Sequence, residues 1–150
     1  MSGFDPVAVA PLGVVALSFL EHDSEGNSMS ILSDEIYDQG LDWAETNGQK
    51  MHIHKTALPT TYAEAVGANE LGTGTVTTGP TTDGATDGRR VTTSAITTGA
   101  ITADGMAAHW AITDGVGLFV ASGALSTPQA VTAGNTFTLD AVSLTIRDAA

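Results

Sequence analysis

At residue 34 the apolar positions begin to repeat with a helical period, and from residue 50 they alternate, so the chain divides into a helix followed by strands. Ile36, Gly40, Trp43 and Ala44 share one helical face, with Tyr37 and Leu41 beside it, which predicts a helix over residues 34–46. Ser33 occupies the N-cap position. Asp34 and Glu35 add negative charge to the first turn, where the backbone dipole favours it. Asn47-Gly48 predicts the stop, because both residues tolerate the left-handed conformation at a helix C-terminus.

Residues 50–56 place Met51 and Ile53 on one side of a strand, and His52 and His54 on the other. Residues 59–67 read as a loop or short helical turn. Strands are then predicted over residues 70–78, 89–96, 105–113, 116–122, 129–131 and 136–147. Asp-Gly pairs at 83–84, 87–88, 104–105 and 114–115 punctuate them, since Asp-Gly suits the positive φ angles of tight hairpins. The last strand changes parity: Phe137, Leu139 and Ala141 fall on one side, Val142, Leu144 and Ile146 on the other. A bulge or a crossing between two sheets near Ala141 reconciles the two sets. The predicted fold is mainly β, an antiparallel sandwich of jelly-roll or immunoglobulin-like type preceded by one short helix. Trp110, Ile112, Leu118, Val120, Phe137 and Leu139 are its expected core.

Residues 1–28 read as an arm ahead of a domain spanning residues 29–150. The apolar run at residues 7–20 (VAVAPLGVVALSFL) is followed by the acidic, polar stretch EHDSEGNS. Fourteen residues fall short of the ~20 that a helix needs to span a bilayer. Pro11 and Gly13 also interrupt the run, and no basic residue precedes it as in a signal peptide. Burying Val7, Val9, Val14, Val15, Leu17, Phe19 and Leu20 is favourable, but ordering their backbone offsets much of the gain. The run is therefore expected to need a surface that also satisfies its backbone hydrogen bonds. That surface is either its own sheet or another subunit, and these seven residues are the candidate partner contacts.

Charge and composition narrow the chemistry. Lys plus Arg number 5 against 17 for Asp plus Glu, a formal net charge of −12. Neither nucleic acid nor an anionic membrane is an expected partner of so acidic a chain. Cysteine is absent, which excludes disulfides, thiolate metal sites and thiol nucleophiles. Glycine supplies 17 residues and threonine about one position in seven, both suited to strands and turns.

His52-x-His54 has metal-ligand spacing, but His22 and His109 are remote in sequence, so two exposed strand histidines are the simpler expectation. The run TTDGATDG lacks the ligand order of a calcium loop and reads as turns. Arg89-Arg90 is expected to meet carboxylates. Neither a nucleophile elbow, a phosphate loop nor a zinc-protease motif occurs, so the expectation is a non-enzymatic protein without cofactor.

Three stretches carry a resemblance: LSDEIYDQGLDWAETNGQKMHIHK, HWAITDG and GALSTPQAVTAGNTFTLDAVSLTI. Together they span a region of about 120 residues that resembles small structural proteins of tailed bacteriophages. In that family a short helix precedes a β-sandwich, and an aromatic strand leads into a hairpin. A final long strand follows an Ala-Gly-Asn/Asp-Thr turn. Here these correspond to Trp110, Asp114-Gly115 and Ala133-Gly134-Asn135-Thr136. The resemblance implies a virion component made in the bacterial cytoplasm: a capsid decoration (cement) protein on the outer shell, bound to major capsid protein and to copies of itself. The alternative is a tail or fibre module that binds a host-surface receptor or glycan. The N-terminal arm and His-x-His lie outside the family pattern and inherit no role from it.

Overall fold

The computed structural model describes residues 33–147, so the arm contacts expected at Val7, Val9, Val14, Val15, Leu17, Phe19 and Leu20 lie outside the described residues. Among the described residues a helix α1 (Asp34–Asn47) precedes strands β1 (Lys50–His54), β2 (Glu70–Thr75), β3 (Thr82–Asp83), β4 (Arg89–Thr92) and β5 (Ile96–Ile101). They are followed by β6 (Gly105–Thr113), β7 (Phe119–Val131), β8 (Thr136–Leu139) and β9 (Ser143–Ile146), and a one-turn helix α2 (Tyr62–Ala65) sits between β1 and β2. The fold is mainly β and antiparallel, with α1 ahead of the strands, as the alternation predicted. A six-stranded sheet runs β7-β6-β1-β2-β5-β8 and a three-stranded sheet runs β3-β4-β9.

One ribbon links the two sheets. β4 pairs with β9 in the small sheet, while their chain neighbours β5 and β8 pair in the large one. Both segments therefore cross between sheets side by side, and the parity change near Ala141 marks the crossing. Thr93 fastens this corner: its N–H donates to Val142 O at 2.9 Å, and its Oγ1 accepts from Val142 N–H at 3.0 Å. Corners of this kind let one strand pair contribute to two packed layers.

The main core lies on the large sheet around Met51, Ile53, Leu71, Ile101, Ile112 and Phe137. Trp110, Val120 and Leu139 pack partly buried against it, as expected of core positions. Leu118 does not; it is 44% exposed in the β6–β7 turn. The Asp114 carboxylate gathers the N–H groups of Val116, Gly117 and Leu118, each at 2.8 Å, so these residues build the turn rather than a strand. Those three bonds also hold the Asp114 carboxyl below the usual carboxylate range. The strand expected at residues 116–122 instead starts at Phe119 and runs through to Val131, absorbing residues 123–128.

The docked face of α1 also differs from the expected one. Tyr37, Leu41 and Ala44 are buried, and Leu41 and Ala44 pack on Val91, Leu144 and Ile146. Ile36 and Trp43 remain 55% and 46% exposed. Asp38 fixes this rotation by gripping Arg89 of β4 from the next helix position. Ser33 caps through its carbonyl, which accepts from Ile36 N–H, and its side chain makes no capping bond. Gly48 has φ −82°, so the stop is not left-handed; its N–H bonds to Ala44 O at 2.7 Å.

Of the Asp-Gly glycines, Gly88 and Gly115 take positive φ, whereas Gly84 and Gly105 do not; Gly105 opens β6. β5 lies almost wholly beyond the strand expected at residues 89–96. Its Gly99 is there for space, since a Cβ would come within 2.2 Å of the Phe137 ring on β8.

Candidate functional site

β1 lies between β6 and β2, so both its edges are paired, and the two histidines are buried rather than exposed. Pairing with β6 brings His109 opposite His54 and Ala111 opposite His52, although 55 residues separate the two histidines in sequence. α2 closes over this face, and His54 Nε2–H donates to Ala65 O at 2.6 Å. Thr61 caps α2 by accepting from Glu64 N–H, which explains why so short a helix forms here. Burial pushes the His54 pKa down, more than the Ala65 carbonyl raises it; His52 and His109 push the same way as burial, and Glu70 opposes them.

His52 is held at both nitrogens. Nδ1 lies 2.6 Å from Glu70 Oε1 and Nε2 lies 2.9 Å from Thr113 Oγ1. Thr113 Oγ1 also accepts from Gly115 N–H at 3.1 Å. One proton assignment satisfies every group: Gly115 donates to Thr113, Thr113 to His52, and His52 Nδ1–H to the Glu70 carboxylate.

Carboxylate, imidazole and hydroxyl thus follow the spatial order of a nucleophilic triad, an arrangement of distant residues that no local motif signalled. Chemistry at the hydroxyl is blocked, however, because Thr113 is 0% exposed and its oxygen already serves two hydrogen bonds. The network instead supplies the polar partners that buried imidazoles need. Nor does the histidine face suit a metal: His52 uses both nitrogens, His54 uses Nε2, and no group of three or more candidate ligands among the described residues could hold an ion.

The basic pair divides its duties. Arg89 makes a two-pronged contact with Asp38 at 2.7 and 3.1 Å and also meets Asp83, as the acidic context predicted. Those carboxylates raise its pKa, so it stays charged. Asp83 of the TTDGATDG run is thereby engaged in tying β3 to β4. Arg90 Nε is buried without a partner.

A cleft of about 320 Å³ opens between β7 and β8. Leu125, Val131, Phe137 and Leu139 line it over Ile53 and Ala107, and the polar Ser126, Thr127, Gln129, Thr138 and Asp140 share the lining. A second cleft, about 270 Å³, shares Val131 and Phe137 and continues towards Thr132 and Asn135. Sequence reasoning missed this opening because it arises from the approach of two sheet edges rather than from any local pattern. Among the described residues no helix is long and apolar enough to cross a membrane. Comparison with protein-family models, curated proteins and solved structures finds no match to this chain.

Proposed function

We propose that the chain is a non-enzymatic bacteriophage structural protein, a capsid decoration protein on the outer shell that bridges major capsid protein subunits and associates with its own copies. The observation that carries this reading is the order in which the phage-like stretches fall on the fold. LSDEIYDQGLDWAETNGQKMHIHK covers α1 and β1. HWAITDG covers the Trp110 strand and its turn, and the Ala133–Thr136 turn, with Gly134 at φ +87°, leads into β8 and β9. The helix, the aromatic strand with its hairpin and the turn follow the order that the resemblance implies, whereas its single long last strand is here the two short strands β8 and β9.

Two physical features support it. An acidic protein is not drawn to packaged DNA and suits the outer face of a shell. The half-exposed Trp43 and Ile36 of α1 offer an apolar contact beside Glu35 and Asp42, and an aromatic anchor of this kind carries much of the energy at many interfaces. Weak individual contacts suffice where many symmetry-related copies act together.

Gel densitometry of purified particles tests the proposal. A copy number comparable with that of the major capsid protein supports decoration. A far smaller number, confined to tail fractions, moves the protein to the tail or fibre. Particles that lack the chain altogether overturn both.

A further inference from the structure

We infer that the Asp87-Gly88 step, in the turn between β3 and β4, is a site of spontaneous backbone modification at which aspartate converts to isoaspartate. The chain carries four Asp-Gly steps, and in each a side-chain carboxyl group precedes a backbone nitrogen that no following side chain shields. The fold separates them. Reaction needs a carboxyl group free to turn and a glycine N–H that is not committed to another acceptor.

Three of the four are held. The Asp83 carboxylate is bound by Arg89, and Gly84 N–H donates to Gly88 O at 2.8 Å. Asp104 Oδ1 accepts from Ala133 N–H at 2.7 Å, and Gly105 lies in the β6–β7 ladder opposite Val131. The Asp114 carboxylate collects three N–H groups, which keep it ionised and so a poor target for a nucleophile. Gly115 N–H is spent on Thr113 Oγ1 at 3.1 Å. The single Asn-Gly step is held as well: Asn47 Nδ2 donates to Trp43 O at 2.8 Å, and Gly48 N–H to Ala44 O at 2.7 Å.

Asp87-Gly88 differs at both groups. Among the described residues neither the Asp87 carboxylate nor Gly88 N–H has a hydrogen-bond partner, and Gly88 joins the turn through its carbonyl alone. Asp87 is exposed, as are Ala85 and Thr86 before it, so its side chain turns in water. The fold also imposes the glycine. Gly88 has φ +67°, and a Cβ there would collide with Ile146 O on β9. The conformation that demands glycine thus leaves its nitrogen unshielded beside a free carboxyl group.

In the reaction the Gly88 nitrogen attacks Cγ of protonated Asp87, and the N–H proton and the carboxyl hydroxyl leave together as water. The product is a five-membered succinimide. Water then opens the ring. Cleavage of the Cγ–N bond restores aspartate; cleavage of the bond between nitrogen and the main-chain carbonyl carbon frees that carboxylate and leaves Gly88 joined through Cγ. The net change is an isomerisation that needs no cofactor, oxidant or partner, and it holds whichever function the chain performs. It adds a methylene to the backbone one residue before Arg89, the side chain that ties β4 to α1.

Ageing the full chain at neutral pH and physiological temperature tests the inference. Peptide mapping with electron-based fragmentation locates isoaspartate although the mass is unchanged. In the folded protein, isoaspartate at residue 87 is expected to exceed that at residues 83, 104 and 114 several-fold, with Asn47 still an amide. In urea the four Asp-Gly steps should convert to similar extents. Asp87→Glu, which would have to close a six-membered ring, should lose the signal, and this exposed side chain has no bond whose loss could unfold the protein. No isoaspartate at residue 87, equal conversion at all four steps of the folded chain, a preference for residue 87 that survives in urea, or a signal that persists in Asp87→Glu overturns the inference.

Discussion

His54 connects protonation to stability through one buried side chain. Burial depresses its pKa below the usual 6.5, and His52, His109 and Glu70 are the ionisable groups around it. The unfolded chain therefore binds a proton at this position more readily than the folded one. Its contribution to stability is complete above about pH 6.5 and declines as the pH falls below that value towards the folded pKa, by at most about 1.4 kcal/mol per pH unit. Urea midpoints at about pH 7.5 and about pH 5.5 should show this loss. His54→Gln keeps an N–H for the Ala65 carbonyl and should flatten the difference. Thr93 makes a second residue-scale point. Thr93→Val preserves shape but leaves Val142 N–H without its side-chain acceptor, so chemical denaturation should report a loss of about 1–3 kcal/mol.

At the scale of the element, α1 is held by one stripe and presents another. Leu41→Ala removes a buried side chain from the Val91, Leu144 and Ile146 cluster and should cost about 2–5 kcal/mol by equilibrium unfolding. Trp43→Ala should alter stability by no more than about 0.5 kcal/mol, because nearly half of that side chain is already in water. An equal cost for the two changes would contradict the docked face described above. The helix itself was legible in the sequence, its rotation less so. The expected face of Ile36, Gly40, Trp43 and Ala44 and the docked one of Tyr37, Leu41 and Ala44 overlap at Ala44 and differ by a small rotation. The contact between Asp38 and Arg89, 51 residues away, favours the docked one. β5 was hidden for a related reason: Gly99 looks like punctuation until Phe137 is seen against it.

For the whole molecule, the excess of acid over base governs long-range behaviour whatever the details of packing. Mixed with duplex DNA at low salt, where non-specific binding is strongest, the protein should leave the mobility of the DNA unchanged on a native gel. A shift that salt abolishes would mean that a locally basic surface outweighs the net charge.

The sequence alone determined the class of the fold, the position of α1, the hairpin at Asp114-Gly115 and the parity change near Ala141, because each follows from periodicity or turn chemistry within a few residues. Tertiary structure decided the rest. Strand order placed His109 against His54, Thr113 and Glu70 around His52, and two edge strands on either side of a cleft. Side-chain period specifies which residues share a face of a strand but carries no information about which strands become neighbours, so contacts across the sheet emerge only once the chain has chosen its pairing.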